Sequence, residues 1–92
     1  MKQYFPIVIF AYNRPLHLSK VLKSISNSKG IKNHKIYLFC DGPKNTSDTI
    51  KIAKIKKLIK KKKDLKFFKL KFRAKNIGLA NNIIYSLNEV FN

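Results

Sequence analysis

Acidic residues are scarce in this 92-residue sequence. There are four, Asp41, Asp48, Asp64 and Glu89, against 21 Lys and Arg, and the formal net charge is +17. No two acids form a D-x-D pair, which argues against a self-contained carboxylate metal site and against paired-carboxylate hydrolysis. Cysteine occurs once, at Cys40. A lone thiol forms no internal disulfide, so a reducing compartment fits, and its simplest role is a small buried core residue. With three glycines the chain has neither a G-x-G-x-x-G fingerprint nor a P-loop. No apolar run approaches the ~18 residues of a membrane span. The apolar stretch Tyr4–Tyr12 is short and is broken by Asn13-Arg14-Pro15 with no small-residue cleavage site, unlike a signal peptide. The expected location is cytoplasmic.

What is present indicates one folded domain over residues 1–92. The chain is 45% hydrophobic, which a disordered basic tail is not. The basic residues are 19 Lys and only 2 Arg, accompanied by 12 Ile and 9 Asn. Those three residue types share A/T-rich codons, so much of the charge reads as compositional background. Proteins that grip nucleic acid lean on Arg, whose planar fork matches phosphate and guanine.

Apolar patterning alternates between two periods. Tyr4–Tyr12 is continuously apolar and suits a strand buried on both faces, with Pro6 marking its beginning. Pro15 signals a helix start, and Leu18, Val21, Leu22 and Ile25 follow with helical spacing until the polar stretch Ser26–Gly30. Lys35–Cys40 is the second strand, and Asp41–Lys44 is a turn. Ser47 is the expected cap of a second helix, with Asp48 in its first turn and Ile52, Ile55 and Ile59 on its apolar face. Leu65–Phe72 is the third strand. Leu79–Phe91 is the third helix, with Ala80, Ile83, Ile84, Leu87 and Phe91 expected on its core face. The order β-α-β-α-β-α implies an α/β, three-layer Rossmann-like half-domain with a three-stranded parallel sheet.

Ligands of open α/β sheets sit outside the carboxyl ends of the strands. Three loops meet there: Tyr12–Pro15, Asp41–Lys44 and Arg73–Gly78. Both Arg residues of the chain lie in them. Arg14, beside a helix N-terminus, is placed to clamp a diphosphate oxygen. Asp41 is an acceptor for a base N–H or a ribose hydroxyl. Gly42 permits close approach of backbone to a ligand. Asn76 and Gly78 precede the third helix and offer further donors.

The segments Pro6–Arg14 (PIVIFAYNR), Phe39–Lys44 (FCDGPK) and Arg73–Asn82 (RAKNIGLANN) stand in an order and spacing that resembles the start of family 2 GT-A glycosyltransferases of bacteria. The resemblance runs from about Pro6 to Phe91. It implies a site for a nucleoside diphosphate sugar, with Tyr12, Asn13 and Arg14 along the nucleotide, Asp41 meeting the base, and Arg73 and Asn76 completing the pocket, beside Gly42 and Gly78. The family's D-x-D motif, which holds a divalent metal (Mg or Mn) on the diphosphate, and its catalytic base lie beyond the matched segments. The resemblance therefore implies an N-terminal nucleotide-binding half, truncated and without catalytic residues of its own. In that fold a fourth strand pairs with the first, so an uncovered first strand is expected to promote self-association.

Two further readings concern charge. The run Lys60, Lys61, Lys62 and Lys63 is a solvated helix face, or else a contact for an anionic membrane surface at the inner face of the cytoplasmic membrane. Residues 51–75 carry 13 basic residues and one acid, interleaved with Phe67, Phe68 and Phe72, the pattern of a small basic nucleic-acid-binding protein. A strand lying between two helices is expected to bury those rings.

Overall fold

The computed structural model describes residues 5–91. Three strands, β1 (Ile7–Ala11), β2 (Ile36–Cys40) and β3 (Phe67–Phe72), alternate with three helices, α1 (Pro15–Ser26), α2 (Thr46–Lys61) and α3 (Leu79–Phe91). A single 3-10 turn at Ile31–Asn33 leads into β2. The sheet is parallel throughout, in the order β1-β2-β3. The α/β architecture and the element order are those the sequence implies. The strands are shorter than the apolar runs that announce them, and Tyr4, the first residue of the expected β1, lies outside the described residues.

Side-chain alternation divides the sheet into two unlike faces. Ile9, Ile36, Leu38 and Cys40 point to one face, where Leu18 and Leu22 of α1 and Ile52, Ile55 and Ile59 of α2 close over them with Leu65. Leu22, Leu38, Cys40 and Ile55 are completely buried. This layer is the hydrophobic core, and Cys40 is the small buried residue expected of a lone cysteine. Burial, together with the neighbouring Asp41 charge, pushes its thiol up to about 11.

The opposite face is built differently. Arg73 extends beneath α3, donating from Nε to Asn82 Oδ1 (2.7 Å) and from a terminal nitrogen to Ser86 Oγ (2.9 Å), and its guanidinium lies 6.0 Å from the Phe39 ring centroid. Glu89, one helical step further, accepts from Lys69 (3.0 Å) and Lys71. Asn82, Ser86 and Glu89 stand at i, i+4 and i+7, so α3 turns a polar stripe inward. This corrects the expected core face: Ile84 is 53% and Phe91 63% exposed, and Leu87 is exposed as well. The reason is β3, whose Lys69, Lys71 and Arg73 need acceptors. The apolar stripe of α3 consequently faces away from the sheet.

Two further local differences have clear causes. Asn45, not Ser47, caps α2, because the side-chain oxygen of Asn45 accepts from the N–H of Asp48 at 2.9 Å. The β2–β3 register skips one residue, pairing Ile36 with Phe67 and Tyr37 with Lys69. The extra residue is Phe68. It is 61% exposed, so the expected burial of the β3 rings fails there.

Candidate functional site

At the carboxyl ends of the strands, two carboxylates fasten the three loops together. Asp41 directly follows β2 and is 4% exposed. Its Oδ1 accepts from the N–H groups of Gly42 (2.8 Å) and Ile77 (2.9 Å), and its Oδ2 from that of Gly78 (3.0 Å). Asn76 returns a bond from Nδ2 to the Gly42 carbonyl (2.8 Å). The second and third loops are thereby joined through backbone donors. Gly42 is required by that junction, since a Cβ there would fall 2.3 Å from the Lys75 carbonyl carbon. The close approach that this glycine permits is to the neighbouring loop. Gly78 has φ +85, the left-handed region that favours glycine, and its carbonyl accepts the first helical bond of α3 from Asn82.

Asp48 plays the corresponding part for the first loop. It is buried, and it accepts from the Tyr12 hydroxyl, from Asn13 Nδ2 (2.8 Å) and from the Lys44 N–H (3.0 Å). The Tyr12 and Asn13 bonds hold its carboxyl below the usual Asp value. The same bond to Asp48 pushes the Tyr12 phenol up to about 12. Asp48 was legible in the sequence only as a helix-dipole partner. Its position three residues after the capping Asn45 is the signal that it anchors a helix start. Nothing in the spacing announces the 36-residue reach to Tyr12.

These tethers frame a cavity of about 650 Å³ beside β1. Six of the eight residues singled out in the sequence border it: Tyr12, Asn13, Arg14, Asp41, Asn76 and Gly78. Lys44, His17 and Asn82 join them. Gly42 and Arg73 do not: the first is enclosed within the loop junction and the second lies under α3. The polar end of the cavity holds Arg14 and Lys44, beside the start of α1. Arg14 is the N-cap residue there, exposed and with no side-chain cap bond of its own, while Pro15 fills the first helical position. The rest of the lining is apolar, with Val8 and Phe10 of β1 and Val21 and Ile25 of α1 running away from the strand ends, and Leu79 at the start of α3.

A divalent metal does not fit the residues present. Among the described residues no three His, Cys, Asp or Glu side chains come together. Both carboxylates near the cavity already accept three hydrogen bonds each. Asp64 lies past the far end of α2, and Glu89 is bridged by two lysines. The Lys60–Lys63 run is also at the end of the sheet opposite the three loops, because α2 starts at the carboxyl end of β2 and runs back toward the start of β3. Among the described residues no helix is long and apolar enough to cross a membrane. No protein-family model matches the chain, and no curated protein or solved structure matches it significantly.

Proposed function

We propose that this chain binds a nucleoside diphosphate sugar, as the nucleotide-binding part of a glycosyltransferase of the GT-A type. The observation that carries the reading is the cavity at the strand ends, where Tyr12, Asn13, Arg14, Asp41, Asn76 and Gly78 converge from three separate loops. Its volume suits a ligand of this size, since small-molecule sites run from about 300 to 1,000 Å³. Its lining matches the ligand's two chemistries. Arg14 and Lys44 offer donors and positive charge to the diphosphate, next to the N-terminus of α1. The apolar wall at Val8, Phe10 and Leu79 offers a surface for a base or sugar face. The role proposed is binding; no catalytic base is assigned, because all four acids are engaged elsewhere or remote.

Calorimetric titration with uridine diphosphate and other nucleoside diphosphates tests the reading. Binding with selectivity among bases is expected, weakened about tenfold by Arg14→Ala, as befits one charge-assisted contact. A folded sample that gives no heat at millimolar nucleotide overturns it.

One observation favours a second reading. Phe68 is exposed on the β3 edge with Lys35 Nζ 4.6 Å from its ring centroid, in the lysine-rich region of the chain, an arrangement that suits stacking on a single-stranded nucleic acid base. Affinity for oligonucleotides that collapses with added salt, combined with indifference to mononucleotides, would favour this surface over the cavity.

A further inference from the structure

The two edges of the sheet are not alike. The β3 edge carries Lys66, Lys69 and Lys71 and the one-residue bulge at Phe68. Lysines and bulges are the usual protections against edge-to-edge pairing. The β1 edge has neither. Ile7–Ala11 contains no charged residue, and Pro6 stands only at its start.

The backbone of β1 is also poised to pair. The Ile7 N–H donates to Lys35 and the Ala11 carbonyl accepts from Asp41, so residues 7, 9 and 11 turn toward β2. In a parallel ladder the alternate residues turn the other way. Val8 and Phe10 therefore present their N–H and carbonyl groups at the open edge. Beside them lie apolar side chains from both layers, Val21 and Ile25 of α1 on one face and Leu79 of α3 on the other.

We propose that the β1 edge is covered by the β1 edge of a second copy, in an antiparallel pair about a two-fold axis at Ile9. Val8 of each copy then faces Phe10 of the other, and both exchange backbone hydrogen bonds, four in all. The sheet becomes six-stranded in the order 3-2-1-1-2-3, with α1 beside α1 on one face. Charge selects this occupant. Pairing β1 against a β3 edge would bury lysines, whereas β1 against β1 sends both lysine-bearing strands to the outside. With ~4.8 Å per strand spacing they then lie ~24 Å apart, beyond the ~8 Å Debye length at physiological salt. A closed two-fold pair also leaves no free β1 edge, so growth stops at two. Val8 and Phe10 also belong to the apolar lining of the cavity, so the pair and a nucleotide compete for that wall, and the oligomeric state is read on the nucleotide-free chain.

Sedimentation equilibrium or light scattering at 0.15 M salt reads the state directly. The expected particle is a dimer, twice the 10.7 kDa chain. Val8→Lys and Phe10→Glu, each checked for folding by circular dichroism, are each expected to raise the dimer dissociation constant at least tenfold. Mixing the two is expected to restore a 1:1 dimer, because the introduced lysine of one chain would face the introduced glutamate of the other. A folded wild-type monomer at 100 μM, open-ended oligomers, or a mixture that fails to pair would each overturn the proposal.

Discussion

Asp48 and Tyr12 show how much one hydrogen bond organises here. The bond holds the first loop against the start of α2, and it moves the two groups in opposite directions, Asp48 down and Tyr12 up to about 12 from an ordinary 10.0. Both shifts stabilise the fold near neutral pH, but they fail at opposite ends of the scale. A carboxyl with a lowered folded value contributes above its unfolded value, and the contribution is lost as pH falls through the folded one. For Asp48 the loss begins near pH 4. A phenol with a raised value contributes below pH 10, and its contribution disappears as pH climbs toward 12. Lysines also lose charge in that range, so the comparison has to be made between variants. Urea midpoints measured from pH 7 to 12 should show Tyr12→Phe less stable than wild type at pH 7. The gap should shrink from pH 10, where Tyr12 of the unfolded chain ionises, toward about 12, where the folded phenol does. A gap that stays constant to pH 12 would mean that the hydroxyl contributes nothing through this bond.

At the scale of elements, α3 is the instructive case. Its boundaries were readable from helical spacing, and Leu79–Phe91 is the helix observed. Its orientation was not, because hydrophobic periodicity identifies an apolar stripe without saying that the stripe meets this sheet. What decided the matter was β3, where Lys69, Lys71 and Arg73 needed partners that Glu89, Asn82 and Ser86 supply. The helix caps followed the same logic: Asn45 and Ser47 both have capping side chains, and only the geometry of the β2–α2 loop selects Asn45. The loops of the candidate site were legible, since Asn, Gly, Asp and Arg collect after each strand. Their mutual tethers through Asp41 and Asp48 are long-range and left no periodic trace. The polar seam under α3 carries its own prediction. Asn82→Ala leaves Arg73 Nε without its acceptor and should cost ~1–3 kcal/mol. Replacing Arg73, Asn82 and Ser86 together by Met, Leu and Ala should cost less than that single change, since apolar groups of similar size leave nothing unsatisfied. Chemical denaturation of the two variants checks the order, and a triple variant less stable than Asn82→Ala would show that the seam is a net stabilising network.

For the whole molecule the decisive quantity is again the charge of +17, because it gives each proposed interaction a different response to salt. A nucleoside diphosphate held by Arg14 and Lys44 should bind more weakly as salt rises, modestly, since few charges are involved. A nucleic acid spread over the lysine-rich stretch would lose far more, ~10³–10⁵ in affinity between 50 and 200 mM salt for six to ten phosphate contacts. Self-association through β1 should go the other way. The pairing surface is uncharged, while the rest of each copy repels its partner. At 0.01 M salt the Debye length is ~30 Å, longer than the ~24 Å between the outer lysine strands of the pair. Repulsion then reaches across the assembly and opposes it. At 0.15 M the length is ~8 Å, and only the apolar contact and the backbone bonds remain. The dimer dissociation constant should therefore fall as salt is raised from 0.01 to 0.15 M and change little beyond, as read by sedimentation equilibrium at a series of salt concentrations. A constant that rises with salt over the same range would mean that opposite charges hold the copies together. With four acids per chain, two of them buried against the loops, such a contact would have to lie somewhere other than the β1 edge.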